Sequence, residues 1–141
     1  MIRKLQKADI NDVAHLWLDT NLKAHDFIAA EYWNTNFEFV KEMLPQAEVY
    51  VYENDKKIQG FIGLNGEYIE GIFVAAEMQS RGIGKLLLDY AKDRKSKLLL
   101  KVYQKNTRAV CFYQREGFEI QNEGVDDDAG EKDYAMIWQQ K

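Results

Sequence analysis

One stretch, Gln79-Ser80-Arg81-Gly82-Ile83-Gly84-Lys85, joins an apolar run (Ile69 to Val74) to a segment with a helical pattern (Leu86 to Arg94). Its two glycines allow the backbone to approach a ligand closely and to adopt positive φ. A helix that begins there directs unpaired N–H groups and the positive end of its dipole toward whatever binds. The stretch therefore predicts an anion site suited to a phosphate or pyrophosphate group.

Two familiar phosphate-binding motifs do not fit this stretch. A Walker A loop needs an earlier glycine and a hydroxyl residue after the lysine, but Gln79 and Leu86 occupy those positions. A dinucleotide-binding fingerprint needs a third small residue where Leu87 stands. A strand-to-helix turn in which the glycines serve only the backbone geometry remains open at this point.

A second segment begins at Asn106 and closes with the sequence Phe112-Tyr113-Gln114-Arg115-Glu116-Gly117-Phe118. The two segments together show the spacing Gln79-x-x-Gly82-x-Gly84 and then Leu100-x-Val102-x-x-x-Asn106-x-x-Ala109-x-x-Phe112-Tyr113-x-x-x-Gly117-Phe118. With this pairing the chain resembles the GCN5-related N-acetyltransferase (GNAT) family over essentially its whole length. Within that family, His25-x-Phe27-Ile28 followed by Tyr32-Trp33 resembles the bacterial YiaC/YjaB-type members.

The resemblance implies a co-substrate and an activity. Family members bind acetyl-CoA with the pyrophosphate on the glycine loop and the pantetheine arm along a strand edge, and they transfer the acetyl group directly to a primary amine. A protein lysine side chain is the expected acceptor. A small amine or amino acid as the acceptor, or a CoA-binding module without turnover, are the alternatives. The residues expected to contact acetyl-CoA are Ile72, Phe73, Val74, Gln79, Arg81, Gly82, Ile83, Gly84, Lys85, Asn106 and Tyr113.

Two residues of the second segment have both a functional and a structural interpretation. The resemblance gives Tyr113 the role of general acid toward the departing CoA sulfur. A phenol with a pKa of about 10 is protonated at neutral pH and suits that role. Tyr113 also falls on the packed face of its predicted helix, so packing is the alternative. Asn106 is a favoured helix N-cap, and capping does not exclude contact with CoA.

The general base is a separate question, because an alkyl ammonium with a pKa of about 10.4 must lose a proton before it attacks a thioester. Some family members carry a carboxylate where this chain has Lys101. Glu70 on the preceding strand is the main candidate, acting through water, and an ordinary solvated glutamate is the alternative. His25 is a second candidate because histidine titrates near neutral pH, although it also suits a turn.

The acidic run from Asp126 to Asp133 is expected to form a hairpin loop. Most such runs are simply solvated, but the resemblance places this loop beside the acceptor amine, where an acidic rim would attract cations. Phe27, Tyr32 and Trp33 are expected to wall the acceptor pocket or to fill the core.

Composition agrees with a compact enzyme of one domain spanning residues 1–141. A hydrophobic content of 46% excludes a disordered chain, and a net charge of −4 argues against a nucleic-acid partner. No membrane span, signal peptide or metal site is predicted. Cys111 is the single cysteine, so no internal disulfide is possible and the cytoplasm is the expected location. We expect Cys111 to be buried on the apolar side of a helix.

The hydrophobic pattern predicts a mixed α+β fold: a mostly antiparallel sheet with helices between strands, and one parallel pair joined by the helix after the glycine loop. The resemblance adds that helices cover both faces of the sheet and that these two parallel strands splay apart. Turns are expected at Asn54-Asp55 and Asn65-Gly66, and the second helix is expected to run from Ala30 to Leu44, before Pro45. The predicted strands are Ile2–Leu5, Glu48–Glu53, Lys57–Leu64, Glu67–Val74, Lys97–Tyr103, Phe118–Glu123 and Tyr134–Trp138.

Overall fold

Seven strands and four α-helices form the computed structural model, which describes residues 1–141. The strands are β1 (Ile2–Lys4), β2 (Glu48–Asn54), β3 (Lys57–Asn65), β4 (Tyr68–Val74), β5 (Lys97–Tyr103), β6 (Glu119–Asp126) and β7 (Glu131–Gln139). The helices are α1 (Ile10–Ala24), α2 (Ala30–Met43), α3 (Ile83–Arg94) and α4 (Thr107–Arg115). The sheet order is β1-β2-β3-β4-β5-β7-β6, and only β4 and β5 are parallel. The predicted α+β architecture is confirmed.

The sheet carries a hydrophobic core on each face. Helices α1 and α2 cover one face, where Val13 packs with Val51 and Phe61. Helices α3 and α4 cover the other face, where Leu87 packs in the cluster that includes Ile62. Because successive residues of a strand point to opposite faces, the neighbours Phe61 and Ile62 of β3 belong to different cores. Strand β3 is therefore buried on both sides, and helices lie on both faces of the sheet as expected.

A β-bulge in β4 begins the separation of the parallel strands. The pairing of β3 with β4 passes from Gly63↔Gly71 to Leu64↔Ile69, so Glu70 is the extra residue. A bulge bends its strand and increases the local twist. Strands β4 and β5 pair only at Tyr68↔Leu99 and Ile69↔Leu100, although both continue well beyond those pairs. The splayed pair implied by the family resemblance is therefore present, and it leaves backbone groups of β4 without a strand partner.

Both predicted hairpin turns lie one residue later than expected. The first turn is centred on Asp55 and Lys56, which have φ of 53° and 64°. The second is centred on Gly66 and Glu67, and Gly66 has φ of 62°. Positive φ is typical of two-residue turns because it matches the twist of the flanking strands. The polar residue types marked each turn, and strand pairing decided its centre.

Helix α2 begins at Ala30 as predicted and ends at Met43 rather than Leu44. A short 3₁₀ turn (Leu44–Gln46) follows it, with Pro45 near the start, where a missing N–H removes no helical hydrogen bond. Pro45 therefore lies inside a helical turn instead of simply stopping α2.

No helix of the protein is both long and apolar enough to span a lipid bilayer.

Candidate active site

The glycine loop ends in an open helix N-terminus. Gly82 is the N-cap of α3 with φ of 84°, and the first hydrogen bond of the helix runs from the Leu86 N–H to the Gly82 oxygen. The N–H groups of Ile83, Gly84 and Lys85 precede that bond, and no side chain caps them. A Cβ placed on Gly82 would meet no atom within 4 Å. The loop therefore presents free donors and the positive helix end to open space, as a pyrophosphate site requires.

Side chains hold this loop in place from both ends. The Gln79 Nε2 donates to the Val74 oxygen at 3.1 Å, and its Oε1 accepts from Arg108 at 2.7 Å. Arg108 also donates to the Ser80 Oγ at 2.8 Å, beside a Ser80 backbone with φ of 65°. Gln79 thus ties the loop to the end of β4, and Arg108 ties it to α4. The sequence predictions did not include Arg108, which lies two positions beyond the Asn106 cap.

The two cationic side chains of the loop differ in their surroundings. Lys85 donates to Glu116 at 3.0 Å and to Asp89 at 3.2 Å, and the pKa of Lys85 is raised by these partners, Glu116 first. Arg81 is exposed and has no ion-pair partner. The Lys85 ammonium is thus committed to protein carboxylates, so its expected contribution to anion binding rests on its backbone N–H, whereas the Arg81 guanidinium is free.

The edge of β4 that faces the slot is anchored by its side chains. Phe73 stacks on Phe61 with ring centroids 4.7 Å apart, on the face covered by α1. Ile72 and Val74 pack against the core on the opposite face. Anchored on both faces, the strand keeps a rigid backbone edge beyond its last pair with β5. That edge is suited to hydrogen bonds with an extended amide chain, and the role of Ile72, Phe73 and Val74 toward pantetheine stays a prediction.

Tyr113 of α4 is almost completely buried, between the rings of Phe112 and Phe118 at 5.3 and 5.5 Å. Its hydroxyl makes no hydrogen bond to the protein. Burial, followed by the neighbouring Tyr68, raises the pKa of Tyr113 above its ordinary value. The side chain is therefore a protonated donor without a partner, so it serves packing and also suits general-acid chemistry.

Asn106 caps α4, because its Oδ1 accepts the Ala109 N–H at 3.2 Å. Its Nδ2 lies 3.0 Å from the Nε2 of His25, and the Nδ1 of His25 lies 2.8 Å from the Asn21 Oδ1. Burial lowers the pKa of His25 to about 4. With both ring nitrogens engaged and a depressed pKa, His25 is poorly suited to remove a proton from an alkyl ammonium.

Glu70 is exposed at the bulge of β4 and forms no ion pair. Its charge reaches Tyr68, whose pKa is raised first by burial and next by Glu70. Lys101 of β5 is exposed too, opposite Ala135 of β7. Glu70 thus lies where the two parallel strands separate, close to a tyrosine that also influences Tyr113. Its role as general base stays a prediction.

The predicted acidic loop is shorter than expected. Asp126 belongs to β6 and Asp133 to β7, which leaves only residues 127–130 between the strands. Asp126 accepts a hydrogen bond of 2.7 Å from the Tyr103 hydroxyl. Asp133 pairs with Tyr103 across β5 and β7 and with Gly124 across β6 and β7. Strand pairing therefore draws the two carboxylates to one tyrosine of β5 that the sequence predictions did not single out.

Asp133 is a largely buried residue whose carboxylate has no donor from the protein. Only 7% of the residue is exposed, and its Oδ1 lies 3.0 Å from the position that a Cβ on Gly124 would take. Gln104 donates to the Asp133 backbone oxygen and to Glu123, but no group of the protein donates to the Asp133 side chain. The Asp133 carboxylate is therefore free to accept a hydrogen bond from a bound group.

Aromatic rings surround this acidic pair on the side of α1 and α2. Tyr103 meets Phe27 edge-on at 5.8 Å, and the pKa of Tyr32 is raised by burial and then by Asp126. The ammonium of Lys105 lies 5.5 Å from the Phe27 ring and 3.1 Å from Glu131. Trp33 is buried between Tyr32 and His25. Of the three predicted wall residues, Phe27 and Tyr32 line this patch, whereas Trp33 mainly fills the core.

The expectation for Cys111 was wrong, because its side chain is exposed on α4. The helix spans only Thr107–Arg115, and its buried face is the one that carries Tyr113. No group of three or more His, Cys, Asp or Glu side chains is placed to hold a metal ion.

An open helix N-terminus beside a splayed parallel strand pair is the arrangement that the family resemblance implies for binding CoA. Residues 45–120 match the acetyltransferase (GNAT) domain family, which is more than half of the chain. The chain is 36% identical over 140 residues to the peptidyl-lysine N-acetyltransferase YiaC of Escherichia coli K12, covering 98% of this chain and 96% of YiaC. It is 28% identical to the peptidyl-lysine N-acetyltransferase YjaB of the same strain, covering 96% of this chain and 92% of YjaB.

Solved structures show the same fold. Apo-form YjaB from Escherichia coli superposes with a TM-score of 0.88 at 25% identity, covering 100% of this chain and 98% of YjaB. The PaiA N-acetyltransferase from Thermoplasma acidophilum in complex with coenzyme A superposes with a TM-score of 0.83 at 20% identity, covering 99% and 98% of the two chains. The chain belongs to the GNAT family. It is an N-acetyltransferase with acetyl-CoA as its co-substrate, and the family resemblance seen in its sequence is confirmed.

Proposed function

We propose that this protein transfers the acetyl group of acetyl-CoA to lysine side chains of other proteins. Residues 1–141 form a single catalytic domain that acts in the cytoplasm, where its one exposed cysteine stays reduced. The observation that carries the acceptor assignment is the carboxylate of Asp133, which no protein group meets as a donor and which lies beside Asp126 and Tyr103. Two relatives aligned over nearly their whole length, YiaC and YjaB, are peptidyl-lysine N-acetyltransferases.

The acidic and aromatic patch suits an alkyl ammonium. A lysine head group would supply the donors that Asp133 lacks, and its methylene stem would lie against Phe27 and Tyr32. Ammonium groups are attracted to aromatic faces as well as to carboxylates. Within this protein the Lys105 ammonium already makes both kinds of contact, with Phe27 and Glu131. The exposed turn at residues 127–130 leaves the patch open to a side chain presented by another protein.

Each residue at the slot has a defined task in the transfer. The N–H groups of Ile83 to Lys85 hold the pyrophosphate, and the free edge of β4 from Ile72 to Val74 orients the pantetheine amides. Acetyl-CoA supplies a thioester carbonyl as the electrophile and a thiolate as the leaving group. Glu70 accepts one proton of the alkyl ammonium through water, and the free amine then attacks the thioester carbonyl. As the C–S bond breaks, the Tyr113 hydroxyl donates its proton to the thiolate, and the second proton lost by the nitrogen restores the tyrosine. The acetyl group passes directly to the amine, without a covalent enzyme intermediate.

A thiol-release assay with a panel of amines tests this function. The panel contains a peptide with one internal lysine and a blocked N-terminus, the same peptide with arginine instead, free lysine and a polyamine. We expect release with the lysine peptide and none with the arginine peptide. Turnover with small amines alone would contradict the acceptor class. Acetyl-CoA binding without turnover of any amine would identify a non-catalytic binding module.

Asp133→Asn tests the acceptor site itself, with Glu119→Gln on the exposed β6 as the matched control. We expect the KM for the lysine peptide to rise about ten-fold or more, because hydrogen bonds to charged groups contribute roughly 1.5–3 kcal/mol. The affinity for acetyl-CoA should stay the same. The free energy of unfolding should change little, because the amide keeps the shape of the carboxylate and no hydrogen bond from a protein donor is lost. An unchanged KM would return Asp133 to a structural residue.

A further inference from the structure

A chain of side-chain hydrogen bonds joins α1 to α4 across 81 positions of sequence. The Asn106 Nδ2 meets the His25 Nε2 at 3.0 Å, and the His25 Nδ1 meets the Asn21 Oδ1 at 2.8 Å. The Asn21 Nδ2 continues to the Trp17 backbone oxygen at 2.9 Å. His25 is the C-cap that directly follows α1, whereas Asn106 is the N-cap that directly precedes α4.

The bonding pattern determines which atom carries each proton in this series of hydrogen bonds. The Asn106 Oδ1 already accepts the Ala109 N–H, so the group that faces His25 is the amide Nδ2, which can only donate. The His25 Nε2 must therefore accept, and its Nδ1 must carry the proton that it donates to Asn21. The amide of Asn21 then donates to the Trp17 oxygen. The ring is thus a neutral imidazole in the Nδ1–H tautomer.

The surroundings of His25 favour this neutral form. The ring stacks on Trp33 at 5.5 Å and meets Tyr103 and Phe27 edge-on at 4.9 and 5.7 Å. Among these rings only Tyr103 is ionisable, and burial and its bond to Asp126 raise the pKa of Tyr103, so it stays protonated. Burial of the imidazole lowers the pKa of His25 to about 4. At neutral pH the ring can therefore act as an acceptor toward Asn106.

We infer that His25 is a positioning residue whose Nε2 holds the Asn106 amide and thereby sets α4, with Tyr113, against the acceptor side formed by α1 and α2. Asn106 does two tasks with one side chain, because its oxygen caps α4 while its nitrogen reaches α1. If the His25 ring carried its proton on Nε2, that N–H would point at the N–H of the Asn106 amide, and two donors would oppose each other. Asn106 would then have to turn over and give up the cap. The catalytic part of this inference rests on the proposed role of Tyr113.

Exchanging Asn106 for aspartate reverses the bond and provides a test that needs no activity. In Asn106→Asp the carboxylate still caps the helix, but it presents an acceptor to Nε2. With Nδ1 bonded to Asn21, the ring is then stabilised as an imidazolium. An opposite charge at this distance shifts a pKa by roughly 1–3 units, so the pKa of His25 should rise by about that amount. A histidine without a hydrogen bond to residue 106 would not change its protonation in step with that residue.

Nitrogen NMR of the imidazoles reads the tautomer and the pKa. The chain has two histidines, and the exposed His15 serves as the internal reference, assigned with His15→Phe. In the unmodified protein we expect His25 to show the Nδ1–H tautomer and no titration above about pH 5. In Asn106→Asp we expect the raised pKa. An Nε2–H tautomer, or an unaltered pKa in folded Asn106→Asp, would overturn the inference.

His25→Phe tests the effect on catalysis, because phenylalanine keeps a ring for packing and lacks the acceptor. We expect kcat with a lysine peptide to fall about ten-fold or more while the Kd for acetyl-CoA is unchanged. His15→Phe on the same helix is the matched control and should keep its kcat. A folded His25→Phe protein with unchanged kcat would refute the positioning role, and if that variant does not fold, the NMR titration decides. If Tyr113→Phe keeps full activity while His25→Phe loses it, the proposed role of Tyr113 is wrong, but the positioning role of the His25–Asn106 hydrogen bond is still supported.

Discussion

A substitution at Gly84 should change the stability of the protein and its affinity for acetyl-CoA in opposite directions. A Cβ added at Gly84 would lie 3.6 Å from the Phe112 ring and 3.9 Å from Val74, which are ordinary contact distances. The position is the second residue of α3 and has no positive φ. Alanine is favoured over glycine within a helix by about 0.5–1 kcal/mol. Gly84→Ala should therefore fold normally and gain up to about that much stability.

The same methyl group should weaken binding of acetyl-CoA. Gly84 lies between Ile83 and Lys85, whose N–H groups are donors on the turn where we place the pyrophosphate. Hydrogen bonds to a charged group contribute roughly 1.5–3 kcal/mol, and each 1.4 kcal/mol is about a ten-fold change in affinity. Displacing the phosphate from one such donor should raise the Kd about ten-fold to a hundred-fold. Gly84→Val adds branching toward Phe112 and should weaken binding further.

Calorimetry of acetyl-CoA binding and denaturant unfolding measure the two effects on the same samples. Leu86→Ala is the matched control, because its side chain is exposed on the same helical turn and should leave the Kd within a few-fold. A gain in stability together with a loss of affinity would show that Gly84 is present for the ligand. If folded Gly84→Ala and Gly84→Val bind acetyl-CoA as tightly as the unmodified protein, the pyrophosphate does not bind at this loop and the reasoning is refuted.

Three further predictions concern single side chains. Tyr113→Phe removes a hydroxyl that makes no hydrogen bond to the protein, so stability should barely change. The value of kcat should fall by a factor approaching the roughly 10²–10⁴ that general acids contribute. If kcat stays within a few-fold of the unmodified protein while chemistry limits the rate, Tyr113 serves only packing. Glu70→Gln should lower kcat/KM near neutral pH and lose less at high pH, where free amine is abundant, and an unaltered pH–rate profile would exclude Glu70 as the base. Hydrogen bonds from Arg3 are the main cause of the lowered pKa of Asp9. The ionised Asp9 therefore stabilises the fold at any pH above its ordinary pKa of 3.8, and this stabilisation is lost as the pH falls through the lowered pKa. The melting temperature of Asp9→Asn should therefore lie below that of the unmodified protein at neutral pH and converge with it in acid, whereas a constant difference would contradict the ion pair.

Local patterns in the sequence were enough to place most elements of the fold. Helix α4 is an example, because Asn106 caps it through its own neighbour Ala109 and the signal lies within four residues. The turns show the limit of such signals. Polar residues marked both hairpins, but the centre at Asp55 and Lys56 depends on which residues of β2 and β3 pair. The same limit applies to Cys111, since only the orientation of α4 on the sheet shows which face is exposed.

The features of the candidate site also divide into those that local sequence predicts and those that only the folded structure shows. The glycine loop was recognisable because its chemistry is carried by consecutive backbone groups, which the order of residues alone determines. The contacts of Asp133 and Arg108 and the His25–Asn106 bond join elements far apart in the chain, and nothing in the local sequence predicts those contacts. Burial made His25 a neutral acceptor, and burial arises only when the sheet and its helices pack. The sequence by itself therefore determined the family, the co-substrate and the strand-to-helix loop that is expected to bind it. Tertiary packing decided which side chains face the acceptor, because long-range contacts set their protonation and their partners.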